Sequence, residues 1–158
     1  MEKEMITGGY WSAYYYEGAI YGTEITRGLD ILKLIPSKYL SKNEIEAAAL
    51  AYPSIGSRRL FNPQQQVPMT WPAKPVVARA YIDQLMKDKA LEEDTVERII
   101  ERLDLVDAAM EKGGNNRLAR QLSRFELSLD APNVDAMTKL RLQKLNTTLK
   151  EIAEGLSK

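Results

Sequence analysis

The residues of this chain that could do chemistry are carboxylates, arginines and a knot of aromatic rings, because histidine and cysteine are both absent. That absence removes the usual neutral-pH general base, the imidazole of a Ser-His-Asp triad, the thiol nucleophile, the thiolate metal site and any disulfide framework. Carboxylate chemistry remains open. Glu24 and Asp30 fall on neighbouring strand segments, where a carboxylate pair could serve as general acid and base or hold calcium. No glycine-bearing oxygen-ligand loop surrounds them, so neither calcium nor acid-base work is expected of the pair, and Asp30, which follows Gly28-Leu29, is expected to hydrogen-bond a turn instead. The acidic run Glu92-Glu93-Asp94 has the composition of a metal cluster, but it also stands where a helix N-terminus favours negative charge, and that role is expected. Arg117, Arg120 and Arg124 share one helical side and could meet phosphate or an acidic partner; with Glu111 and Glu126 close in sequence, a solvated face is expected. Gly8-Gly9 has no phosphate-binding pattern after it and reads as a bend before a strand.

Tyr10, Trp11, Tyr14, Tyr15, Tyr16 and Tyr21 form the densest candidate binding surface. Such rings offer large contact area with a polar tip, which suits a glycan or another flat ligand; they equally suit the filling between packed β-sheets or between sheet and helix. Strict alternation sends Tyr10, Ser12, Tyr14 and Tyr16 to one face of a strand and Trp11, Ala13 and Tyr15 to the other, so one face at most serves a ligand. Nothing in these patterns calls for a cofactor, a metal or a catalytic residue.

Bulk composition sets wider bounds. Lys plus Arg and Asp plus Glu number 22 each, which gives no electrostatic case for nucleic acid or for an anionic membrane. The 44% hydrophobic fraction is enough for a core. No apolar run approaches the roughly 20 residues of a membrane span. The opening Met-Glu-Lys-Glu-Met carries no apolar core of a signal peptide, which taken alone points to the cytoplasm.

The elements that must position these residues are β first and helical afterwards. Strands are expected at 10–16, 19–25 and 29–34, with a tight hairpin at Glu17-Gly18 and a second turn at Thr26-Arg27-Gly28. Apolar residues on both faces predict a sheet covered on both sides. Ser41-Lys42-Asn43-Glu44 is a capping box that opens a helix to about Ala51, with Ile45, Ala48 and Ala49 against a neighbour. Residues 53–74 are proline-rich and carry Ile55, Leu60, Phe61, Val67, Met69 and Trp71, which predicts a packed, extended strap. Helical periods then run at 75–89, 93–112 (Val96, Ile99, Leu103, Val106 and Met110 inward), 116–129 (Leu118, Leu122, Phe125 and Leu129 inward) and 134–156 (Leu142, Leu145, Leu149, Ile152 and Leu156 inward). The expected fold class is α+β: an N-terminal antiparallel β-meander in 1–52, the strap in 53–74, and an all-α four-helix bundle in 75–158. A three-stranded meander leaves edges open, so pairing between copies of the chain is expected as well.

Two resemblances sharpen this. Gly8-Gly9-Tyr10-Trp11-Ser12, the run Tyr16 to Ile25, Arg27-Gly28-Leu29-Asp30, the segment Ser41 to Ala47 and Phe61-Asn62-Pro63-Gln64-Gln65-Gln66 through Trp71-Pro72-Ala73 together resemble the C-terminal end of bacterial LVIVD-repeat proteins. That family is of secreted or surface β-propellers. The resemblance implies that residues 8–34 are the last blade of a propeller whose preceding blades this sequence lacks, and it implies an extracellular or cell-surface location. From Ile82-Asp83-Gln84-Leu85, through Leu103 to Ala109, the Gly113-Gly114 turn and Leu118 to Phe125, the second half is similar to the FIMAH-type helical module of Gram-positive surface proteins. These are core positions, and they imply an accessory helical module with no assigned catalytic residue. The function expected is a non-catalytic C-terminal interaction or stabilising module of an extracellular β-propeller protein, facing a protein partner or a cell-envelope component. The alternatives are a carbohydrate-binding module built on the Tyr/Trp cluster and an enzyme using Glu24 and Asp30.

Overall fold

In a computed structural model, which describes residues 8–53, 68–125, 127 and 134–157, the fold is α+β. Two compact units divide between Trp71 and Pro72. The first opens with an antiparallel sheet in the order β1 (Tyr10–Tyr16), β2 (Ala19–Glu24) and β3 (Gly28–Lys33). The expected hairpin joins β1 to β2: Glu17 and Gly18 have φ of 47° and 83°, the doubly left-handed geometry whose twist suits a two-residue loop. At the second turn Gly28 has φ of 95°, a conformation in which a Cβ would be strained. Strands β2 and β3 end one residue earlier than alternation suggests, because Gly28 rather than Leu29 pairs with Glu24.

The expected face assignment is wrong at one residue, and the cause is a β-bulge. Tyr10 pairs with Glu24 and Ser12 with Thr23, so Trp11 is an extra residue on β1. The bulge resets the alternation and moves Tyr10 to the opposite face from Tyr14 and Tyr16. Face one holds Ser12, Tyr14, Tyr16, Tyr21, Thr23, Leu29 and Ile31; face two holds Tyr10, Tyr15, Ile20, Gly22, Glu24, Asp30 and Leu32. Coverage on both sides is also not what the structure has. Tyr14, Tyr16, Leu29 and Ile31 of face one are exposed, and so is Leu32 of face two.

Helix α1 (Lys42–Ala48) starts at the expected capping box: Ser41 Oγ accepts from the Glu44 amide, and the Ser41 amide donates to the Glu44 carboxylate. It ends three residues short of Ala51, and its buried side chain is Ala47 rather than Ala48 or Ala49. The ends of the proline-rich stretch pair as β4 (Tyr52–Pro53) and β5 (Met69–Thr70), a two-stranded ladder with no alternation long enough to betray it. Ile55, Leu60, Phe61 and Val67, with the motif Phe61 to Gln66, lie outside the described residues, as do Met1 to Met5, Glu126, Leu129 and Pro132-Asn133.

The second unit packs four helices around one core: α2 (Pro75–Lys87), α3 (Glu93–Glu111), α4 (Asn116–Leu122) and α5 (Ala136–Leu156). Helix α5 lies against the other three. Leu85, Ile99, Leu103, Val106, Leu122, Leu145, Leu149 and Ile152 are wholly buried, which bears out most of the expected stripes. Met110 is the exception: it is exposed, and Ala109 takes the inward place in the last turn of α3. Gly113 and Gly114 stop that helix with left-handed φ, and the Gly114 amide returns to the Ala109 carbonyl. Helix α4 ends at Leu122 and not near Leu129; Phe125 follows it, half-buried against the core and under the Arg102 guanidinium. Two links fix α4 antiparallel to α5, one from the Asn115 amide to the Leu156 carbonyl and one from the Asn146 side chain, which bonds both backbone groups of Leu127. Asp135 caps α5 through the amides of Met137 and Thr138, and the Thr138 contacts hold its carboxyl below the ordinary value. No helix among the described residues is long and apolar enough to cross a membrane.

Candidate functional site

The two carboxylates singled out from the sequence sit on β2 and β3, and both are engaged within the sheet. Glu24 is only 7% exposed. One oxygen accepts from the Gly9 amide at 3.0 Å. The other accepts from the Thr26 hydroxyl at 2.8 Å and from the amides of Thr26 and Arg27 at 2.9 and 2.6 Å. The side chain therefore closes the β2–β3 turn from inside and ties the entry of β1 to it. Led by the Thr26 hydroxyl, with the three backbone amides behind it, these donors hold the carboxyl down to about 2 despite its burial. A group so stabilised as an anion is a poor proton donor at neutral pH.

Asp30 accepts from the Tyr10 hydroxyl at 2.6 Å and from Arg27 Nη2 at 2.8 Å on the same oxygen. The bulge makes this bond reachable by placing Tyr10 on face two, with its ring lying over Gly22. A Cβ built on Gly22 would stand 2.5 Å from a Tyr10 ring carbon, so glycine is what allows the ring to lie there. The Asp30 contact raises the Tyr10 phenol above its ordinary value. Arg27 also reaches Glu24 at 3.6 Å, so one guanidinium serves both carboxylates. Sequence reasoning missed Arg27. The available signal was its spacing, three residues after Glu24 and three before Asp30. What these four side chains do chemically is lock a turn to a strand edge.

The six aromatic residues are not gathered onto one surface. Tyr14, Tyr16 and Tyr21 lie on face one, Tyr10 and Tyr15 on face two, and Trp11 stands at the bulge with 79% of its surface exposed. Tyr14 pairs directly with Tyr21, and Tyr21 with Ile31, so a row of three large side chains crosses all three strands. Tyr15 is half-buried, its hydroxyl is enclosed without a hydrogen-bond partner among the described residues, and burial raises its phenol. In the helical unit Glu93 and Asp94 occupy the first turn of α3, where the helix dipole favours them. Arg117, Arg120 and Arg124 are all open to solvent on and just after α4. Among the described residues no three carboxylates converge as a metal site would require.

No family model matches the sequence, and no curated protein or solved structure matches it either. The LVIVD-repeat and FIMAH-type resemblances rest on the quoted residues alone.

Proposed function

We propose that this chain is a non-catalytic interaction and stabilising module of an extracellular or cell-surface β-propeller protein. In this reading face one of the sheet is the contact surface, a β-rich protein or cell-envelope component is its partner, and the open strand edges also pair copies of the chain. The supporting observation is the row Tyr14, Tyr21 and Ile31, continued by Leu29. Tyr14, Ile31 and Leu29 are exposed (Ile31 by 59%) with Tyr21 half-buried among them, whereas the core leucines of the helical unit, Leu85, Leu103, Leu145 and Leu149, have no exposed surface. Fully covering a side chain of this size contributes about 1.5–3 kcal/mol, so a row of them is a sizeable driving force for docking. The engagement of Glu24 and Asp30 by the turn supports the non-catalytic half of the reading.

A photo-crosslinking amino acid placed at Tyr14 or at Ile31, in the organism that makes the protein, tests it. The expected result is one dominant adduct with a β-sheet polypeptide from both positions and none from Leu105, an exposed apolar residue of α3. Equal labelling from all three positions, or from none, overturns the proposal.

The exposure of Trp11 favours a second reading, a glycan platform. The chain has two tryptophans, so Trp71→Phe leaves Trp11 as the single reporter. On the primary reading soluble glycans leave its emission unchanged; a saturable quench transfers the conclusion to carbohydrate binding.

A further inference from the structure

The two edges of the sheet differ, and the difference selects one of them. The outer edge of β1 is interrupted by the bulge at Trp11, a feature that breaks the regular ladder and twists an edge away from incoming strands. The edge of β3 has no such protection. Its six residues stay in unbroken register with β2, and it contains no proline. Asp30, the charge that could deter pairing, is held by Arg27 and the Tyr10 hydroxyl, so it bars only a register that sets a second carboxylate opposite it. Leu29, Ile31 and Leu32 are all exposed beside it.

We infer that β3 pairs antiparallel with β3 of a second copy of this chain, with Ile31 opposite Ile31, so that two three-stranded sheets become one of six strands. This rests on the strand-edge part of the preceding reading and adds the edge, the register and the partner. A two-fold axis perpendicular to the sheet keeps each set of side chains on its own face, which restricts the register to steps of two residues. With Ile31 on the axis, Leu29 faces Lys33 and Asp30 faces Leu32, and no like charges meet. A two-residue shift one way sets Asp30 directly against Asp30, a destabilising pair. The shift the other way sets Ile31 against Lys33 and leaves Leu29 beyond the paired strands. The chosen register also joins the two rows on face one into a single line, Tyr14, Tyr21, Ile31 and then Ile31, Tyr21, Tyr14 of the second copy.

The chain contains no cysteine, so single-cysteine variants report the contact cleanly. In the full chain, Ile31→Cys is expected to oxidise to a covalent dimer under mild oxidant, and Ala13→Cys on the bulged edge strand to stay monomeric. Sedimentation of the unmodified chain should show a concentration-dependent dimer. Ile31→Lys, which places two ammonium groups opposite each other, should raise the dimer dissociation constant by about tenfold. Ile31→Val should keep the dimer, and its circular dichroism checks that strand substitution leaves the fold in place. A clean monomer at millimolar concentration, or crosslinking at Ala13→Cys as fast as at Ile31→Cys, overturns the inference. Neither outcome alters the photo-crosslinks from Tyr14, which lies on β1, two strands from the pairing edge. Conversely, losing those photo-crosslinks while the Ile31→Cys dimer persists removes the docking reading and leaves the pairing intact.

Discussion

Leu149→Ala removes about 2–5 kcal/mol from the helical unit. Leu149 has no exposed surface, and it belongs to the stripe by which α5 meets the other three helices. Truncation removes the transfer free energy of the side chain and leaves a cavity that rigid neighbouring helices fill only in part. A domain of this size is stable by roughly 5–15 kcal/mol, so the loss is a large share of the total. Urea unfolding followed by helical circular dichroism is the measurement. The midpoint should fall while the denaturant slope stays constant, because the surface exposed on unfolding is nearly unchanged. Thr147→Ala is the control: Thr147 is exposed on the same helix and its hydroxyl bonds the Gln143 carbonyl one turn back, so its effect should stay within about 0.5 kcal/mol. Equal midpoints for the two variants would mean that α5 is not the core element described here.

Why that core could be read from sequence while the sheet's chemistry could not is a matter of range. The stripe Leu142, Leu145, Leu149, Ile152 and Leu156 repeats one local rule five times, so an error at one position is outvoted by the others. Capping is equally local: Ser41 and Glu44 lie one helical turn apart and satisfy each other. Where the run is short, the rule fails. Helix α4 has only seven residues, and its end is set by what Phe125 and Leu127 find on α3 and α5 rather than by its own pattern. The bulge at Trp11 is a property of a pair of strands. No periodicity within β1 alone reveals that Tyr10 opposes Glu24 while Ser12 opposes Thr23. Every contact of the carboxylate cluster inherits that displacement, since without it Tyr10 would point away from Asp30. Asp30 meets its expected turn role through Arg27, whereas Glu24 closes the same turn with no sequence signal of its own. Their shared guanidinium and the reach back to Gly9 required the three-dimensional pairing.

Glu24→Gln abolishes the acid sensitivity of the sheet and weakens the sheet at neutral pH. In the folded chain the Glu24 carboxyl titrates at about 2, against an ordinary 4.5, because four donors converge on its ionised form. A group whose folded value lies below its unfolded value favours the folded state in its charged form. Its contribution is therefore fully present above pH 4.5, and it is lost as pH falls from 4.5 toward 2, where the unfolded chain takes up the proton first. Glutamine has nearly the same shape but carries no charge, and its amide group turns donors toward the backbone amides that Glu24 accepts from. Following the Trp11 indole resonance from pH 7 to pH 2 measures this directly. The unmodified sheet should pass through a transition between pH 4.5 and 2. The Glu24→Gln sheet should begin less stable to heat at pH 7 and show little further change across that window. If both proteins lose the sheet along the same acid curve, another carboxylate governs it, and Asp30, whose acceptor oxygen is shared by Tyr10 and Arg27, is the next to replace. The comparison also bears on docking. Face one is carried by the same three strands, so in acid the contact row of Tyr14, Tyr21 and Ile31 should come apart with the turn that Glu24 holds.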